Sequence, residues 1–381
     1  MLRLEPRGAP SRAMVWLSPL LALGMTVAFG VVIFLAVGKN PVHGLSMFFW
    51  EPVKSAYNLS ELALKATPLI LIALGLAACY RSNVWNIGAE GQYILGAIFG
   101  GGVALLAGDH TSHAIVLPIL LAGILGGMVW AALVAALRDG FNANEILVSL
   151  MLVYVAQYLL DYLVYGPWKD PQGYNFPQTK MFADPTLLGH LIEGTRLNWG
   201  FPIALVAVGL VWVFLFRSVA GFRLQVGGMA PGAARYAGYS SRKALWTVLL
   251  TSGGFAGLAG ALDAIGPLQQ LTPQVSQGYG FAAIIVAFVG RLNPVGIVLS
   301  GALMAMFYIG GELAQSRLGL PNAMTGVFQG LLLFSLLACD TLIDNRLRFK
   351  SAPGTALRPA RPCRAPRGVR KLAAALRFLK R

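Results

Sequence analysis

The chain has 381 residues, 56% hydrophobic and only 12% charged, with a mean hydropathy of +0.66, whereas an ordinary soluble domain carries about 25% charged residues. That balance excludes a soluble globular enzyme and a disordered chain, and it identifies an integral membrane protein. The formal charge of +15 suits either nucleic acid or a membrane surface, and the placement of the basic residues decides for the membrane.

Residues 1–12 carry Arg3, Arg7 and Arg12 ahead of an apolar run at 15–37. That run is long enough to cross about 30 Å of hydrocarbon and exceeds the roughly 7–15 residues of a signal-peptide core, so a retained anchor helix is expected. The same length criterion predicts spans at 62–80, 92–107, 114–137, 145–165, 201–216, 244–265, 280–290, 295–310 and 324–339. The fold expected is all-α, a polytopic bundle of about ten spanning or partly spanning helices within residues 1–344. The run at 280–290 is shorter than the roughly 17 residues a span needs, and reads as a half-helix or re-entrant piece.

Short cytoplasmic loops concentrate Lys and Arg. With the N-terminus inside, only Lys39, Lys54, Lys169, Lys180, Arg196 and Arg317 fall outside, with Lys65 at a helix end. Both termini therefore read as cytoplasmic, and so does residues 345–381, a basic tail without an acidic residue. Its last part alternates Leu372, Leu376 and Leu379 with basic side chains, a pattern suited to an anionic leaflet.

Gly96 and Gly100, then Gly253, Gly257 and Gly260 with Ala256 and Ala259, recur at spacings that let helix backbones approach closely. Cys79, Cys339 and Cys363 and the four His show neither metal spacing nor a disulfide framework.

Polar residues inside spans are costly and usually face a cavity or a partner. NVWNIGAEGQ, residues 83–92, places Asn83, Asn86, Glu90 and Gln92 between apolar runs, either as part of a solute pathway or as a connecting turn. FNANEIL, residues 141–147, places Asn142, Asn144 and Glu145 at the start of the fifth span, as pathway residues or as a helix cap.

Residues 217–243 interrupt two apolar halves with a polar, basic stretch. Pro231 stands at the first turn of a short helix through Ala233, Ala234, Arg235 and Tyr236, and Gly238 supplies the stop. So short a helix frays alone, which points to another protein holding it, with Ala234 on its buried face.

Together NVWNIGAEGQ, NEILVSLML, GMAPGAARYAGYSSRKA, SGGFAGLAGA and GFAAIIVAFVGRLNPVGIVLSGAL resemble the permease subunits of ABC importers for nucleosides and related simple sugars, in the branched-chain amino acid and ribose permease superfamily. The resemblance spans most of residues 62–337. It implies a type II ABC importer-like bundle in a bacterial inner membrane, a second related permease, two ATPase subunits that bind ATP and Mg, and an extracytoplasmic solute-binding protein. It also implies that residues 231–238 are the coupling helix that docks on the ATPase. Where the family often carries an Asn after the Met-Leu of the fifth span, Val153 stands here. No G-x-x-x-x-G-K-[ST] phosphate loop occurs, so this chain is expected to bind no cofactor and to be no enzyme, leaving ATP hydrolysis to separate subunits. The alternative is a secondary transporter driven by an ion gradient, with Glu90, Glu145 or Asp263 as the ion site. The outer loop at 166–200 exceeds the roughly 12–15 residues usual for a structureless connection, and is expected either to dock the binding protein or to cover the outer mouth.

Overall fold

The computed structural model describes residues 2–6, 12–107, 112–321 and 323–349. Among them, nine helices are long and apolar enough to cross a membrane, and one shorter apolar helix joins them. The N-terminal span is α1 (Arg12–Ala36), and α2 (Pro41–Phe49) follows it. Asn40 caps α2 with its side chain and Pro41 opens it, where a missing N–H is of no consequence. Next come α3 (Ala56–Arg81), α4 (Ala89–Ala107), α5 (Val116–Phe141) and α6 (Glu145–Tyr165). After the loop at 166–200 lie α7 (Gly200–Arg217), the short pair α8 (Val219–Met229) and α9 (Pro231–Tyr236), and α10 (Ser241–Asp263). The last third holds α11 (Tyr279–Val289), α12 (Pro294–Leu318) and α13 (Ala323–Asp344).

α3 is the central post. Its buried residues run almost without a gap from Leu62 to Cys79, as expected of a helix that is apolar all round. α10 packs against α3, α4 and α5, and the small residues make this possible. A Cβ at Gly96 would run into the Gly257 backbone, and one at Gly257 into the Gly123 carbonyl. Three backbones thus meet at one level, the close approach that the glycine spacing predicts.

The peripheral pair α1 and α13 is pinned to the core by one polar clamp. Arg291 donates from both terminal nitrogens to the Asp340 carboxylate, at 2.7 and 3.2 Å. Ser18 Oγ donates to the same carboxylate at 2.6 Å.

Two features were not legible as helices. β1 (Leu2–Pro6) pairs antiparallel with β2 (Asn345–Phe349), so the expected basic tail begins as a strand, and residues 2–6 and 345–349 lie side by side. Residues 350–381 of that tail lie outside the described residues. The loop at 166–200 is held by backbone bonds to the stretch after α10: Thr179 N–H to Leu271 O at 3.0 Å, Phe182 N–H to Gln269 O at 2.9 Å, and Leu188 N–H to Ile265 O at 3.1 Å. Its inner edge therefore lies over the end of α10, while Tyr174 and Phe176 stay exposed.

Candidate translocation site

The chain leaves α3 through a left-handed residue, Asn83 (φ 55°), with the Val84 N–H bonded to Cys79 O at 3.0 Å. Asn takes this position at a helix end about as glycine would. Asn83 is exposed and makes the connecting turn, whereas the segment after it returns into the bundle without helical bonds. Buried irregular backbone survives at such depth only if side chains satisfy it, and Asn86 does this. Its Nδ2 donates to Gln92 Oε1 and to Ser252 Oγ, each at 3.0 Å, and its Oδ1 accepts from Gly88 N at 3.0 Å and Gln92 Nε2 at 3.3 Å. All four hydrogen-bonding positions of the amide are used. Asn86 and Gln92 thus brace the re-entrant turn.

Glu90 faces a different task. α11 has 11 residues and is about 16 Å long, half of an about 30 Å hydrocarbon layer. Its N-terminus stops inside the bundle, with Tyr279 and Gly280 buried and no capping side chain of its own. The Glu90 carboxylate supplies the acceptors, taking the N–H groups of Gly278 (3.1 Å) and Gly280 (2.5 Å) and the Ser276 hydroxyl. A negative group at the positive end of a helix is also favoured by the helix dipole. Position 280 must be glycine for this approach, since a Cβ there would overlap the Glu90 backbone.

Beyond the start of α11 lies a cavity of about 260 Å³ whose wall includes Asp263, Gln274, Gln277 and Tyr279. α10 reaches it through a π-helical turn, Ala264–Leu268, a distortion that recurs at functional sites. Tyr93 Oη donates to Asp263 Oδ2 at 2.6 Å and Tyr308 Oη to Gln277 O at 3.2 Å. The Tyr279 ring stands edge-on to both Tyr93 and Tyr308. Around the rim, Lys65 pairs with Glu312 at 2.6 Å and Arg196 with Glu61 at 3.6 Å. The second oxygen of Glu61, Oε1, is buried without a hydrogen-bond partner.

The second expected cluster stands elsewhere. Asn142 is the left-handed C-cap of α5, Asn144 caps α6 by accepting from Ile146 N at 2.9 Å, and Glu145 pairs with Arg138 at 3.3 Å. These three make the α5–α6 corner, and no described hydrogen bond joins them to the Glu90 cluster.

The short helix at 231 begins at Pro231 as predicted, and Gly238 follows it with φ 77°. Ala233, Arg235 and Tyr236 are exposed, Tyr236 to 97%. Ala234, expected to bury against another protein, is instead 3% exposed within its own chain. It faces a cleft of about 410 Å³ bounded by α8, α9 and the start of α10. The sequence did not disclose α8, because its three glycines suppress helix propensity. Ser218 caps it, accepting from Gly221 N at 2.9 Å.

Nothing in the sequence marks Tyr93, Gln277, Tyr279 or Tyr308, and Asp263 reads there only as a possible ion site. Lys65 carried the one available signal, a lone basic residue at the edge of a span.

Spans gathered round a carboxylate-capped half-helix, with a polar cavity at its buried end, define a polytopic membrane transport protein. The chain belongs to the family described as branched-chain amino acid transport system / permease component, which matches residues 58–337. It is similar to the glucose ABC transporter permease protein TsgB13 of Haloferax volcanii, 33% identical over 350 residues that cover 89% of this chain and 91% of that one. The guanosine ABC transporter permease protein NupP of Bacillus subtilis is 29% identical, covering 82% and 90%. The nucleoside ABC transporter permease protein NupB of Lactococcus lactis is 26% identical, covering 84% and 89%. The ATP-driven importer reading therefore stands over the ion-gradient one, and Glu90, the first residue that alternative needed, is engaged in capping α11.

Proposed function

We propose that this chain is one permease of a bacterial inner-membrane importer that carries a neutral, ring-shaped solute, a nucleoside or a hexose, past the buried N-terminus of α11. The observation that carries the reading is the cavity beside that terminus. Its polar wall offers amide, phenol and carboxylate groups suited to hydroxyls, and the carboxylates at its rim are matched by Lys65 and Arg196. A solute without net charge suits such a wall. The names of the three relatives point to guanosine, nucleosides and glucose.

In this reading the face carrying α8 and α9 is cytoplasmic, as are both termini, and α9 docks on an ATPase subunit that binds ATP and Mg. A second, related permease completes the passage, and the exposed tip of the loop at 166–200 meets an extracytoplasmic binding protein. Reconstitution of the chain with its ATPase and partner permease tests the proposal. ATP-dependent uptake of guanosine or glucose is expected. Uptake by the chain alone that collapses with an ion gradient would overturn it.

A further inference from the structure

The outer surface of the bundle shows what a lipid-facing helix looks like in this molecule. On α5, Leu117, Leu121, Leu125, Val129, Leu133 and Leu137 are all exposed at four-residue intervals, an unbroken aliphatic stripe. α6 carries a row of different chemistry in its second half, beyond the exposed Leu147 and Met151 of its first: Tyr154, Tyr158, Tyr162 and Tyr165, at intervals of four, four and three residues, are 56%, 69%, 68% and 60% exposed. Tyrosine is at home at the membrane surface, yet this row does not stay there. α6 has 21 residues and is about 31 Å long, so Tyr154 lies near its middle.

Two more groups on α6 separate it from a lipid face. Asp161 is partly exposed, and no basic side chain pairs with it among the described residues. Gln157 Nε2 donates to Asp161 Oδ1 at 3.1 Å and to Pro273 O at 2.9 Å. Pro273 belongs to the stretch that leads down to the α11 N-terminus, and its neighbour Gln274 lines the cavity. The tyrosine row is thus tied to the half-helix site by a polar bridge. An ionisable side chain within a span faces a water-filled space or a polar partner.

We propose that the tyrosine face of α6 is a wall of the aqueous passage and a stacking site for the ring of the solute. Phenol rings at i and i+4 are offset by about 6 Å along the helix, so a ring leaving one meets the next within its own width. Phenol hydroxyls and the Asp161 carboxylate then serve the hydroxyls of a sugar or ribose. The proposal deepens the importer reading and rests on it for the identity of the solute.

The test uses the assembled complex in proteoliposomes, with Cys79→Ala, Cys339→Ala and Cys363→Ser as background. Single Tyr154→Cys, Tyr158→Cys and Tyr162→Cys variants are reacted with a charged thiol reagent beside Leu121→Cys and Leu125→Cys. Because charged reagents do not enter hydrocarbon, the tyrosine positions should react at least about tenfold faster than the α5 controls. Guanosine or glucose, whichever the complex transports, should slow that reaction. In uptake, Tyr158→Leu should lose about tenfold while Tyr158→Phe, which keeps the ring, restores most of it. Reaction at 154 and 158 as slow as at 125 would overturn the aqueous wall, and this arm needs no solute. Fast reaction that a transported solute leaves unchanged, or equal uptake by the Leu and Phe variants, would overturn the stacking site. The ATP requirement of the unmodified complex reports separately on the importer reading.

Discussion

Glu90 Oε2 and the Gly280 backbone N–H are 2.5 Å apart, although 190 residues separate them in the chain. The first turn of α4 thereby holds the first turn of α11, whose Tyr279 lines the polar cavity. α11 cannot withdraw from α4 without leaving buried N–H groups bare, since nothing else caps it. Hydrogen bonds to a charged group contribute about 1.5–3 kcal/mol each, so the carboxylate sets where the half-helix stops.

Glu90→Ala should insert into the membrane and bind the ATPase, and yet lose at least about tenfold in uptake, one charged hydrogen bond being worth that much. Glu90→Gln keeps one acceptor oxygen and should fall between. Uptake kinetics in proteoliposomes, alongside recovery of the complex, measure both. Full uptake by Glu90→Ala would remove the capped half-helix from the transport path.

Gly257→Val places a branched side chain where the α5 and α10 backbones already touch. Overpacking of this kind costs about 1–3 kcal/mol, occasionally more. The expected result is a lower thermal-unfolding temperature in detergent and a smaller yield of folded chain. Gly227→Ala, at a glycine with open space around it, is the control and should leave both unchanged.

How far the sequence discloses this molecule depends on the range of the interaction that made each feature. Span positions follow from local hydropathy, which is why 280–290 could be recognised as half a span before any contact was known. The helix at Pro231 likewise announces itself through local backbone chemistry. The partner of Glu90 does not, because it lies at Gly278 and Gly280 and only the tertiary fold joins them. Asn86 and Asn83 look alike in the string NVWNIG, but one is fully buried with four hydrogen bonds and the other is an exposed turn. Asn142, Asn144 and Glu145 looked equally polar, and turned out to serve a corner. The tyrosines of α6 occur at helical spacing in YVAQYLLDYLVY, but which face of that helix lacks a neighbour is decided by how α4 and α5 pack against it.

Arg81 joins the α8–α9 corner to the half-helix. Its Nε donates to Leu292 O at 2.8 Å, directly after α11, and its Nη1 donates to Gln225 Oε1 on α8 at 3.2 Å. The guanidinium also lies over the Phe216 ring of α7 at 4.8 Å. A movement of α8 therefore reaches the lower end of α11 through one side chain. Arg81→Met should leave ATPase association and ATP hydrolysis in place while lowering solute moved per ATP by about tenfold, the loss of one such bond. Arg81→Lys cannot span both acceptors, for lack of the planar fork, and should be intermediate. Uptake and ATP hydrolysis measured on the same preparation decide, and an unchanged ratio in Arg81→Met would exclude the linkage.

The surface of α9 offers a sharper test of docking than its centre. Ala234 is buried against its own chain, so Ala234→Asp would force a larger, charged side chain into the α8–α9 corner, whose cleft Arg223 and Lys243 also line, an overpacking cost of about 1–3 kcal/mol. Gly238→Val would force a branched residue to φ 77°, a strain of roughly 1–2 kcal/mol. Both variants should weaken ATPase binding by disordering the corner, and increased cleavage of residues 217–243 by protease would reveal that. Tyr236 is 97% exposed, and removing its ring disturbs nothing in this chain. A tyrosine at the centre of an interface contributes about 2 kcal/mol or more, so Tyr236→Ala should weaken ATPase binding about thirtyfold while protease resistance stays at the wild-type level. Arg235→Ala, at the edge of the same helix, should cost less and depend more on salt. Wild-type ATPase affinity in Tyr236→Ala, with uptake intact, would leave residues 217–243 as an orientation signal and move the docking surface elsewhere.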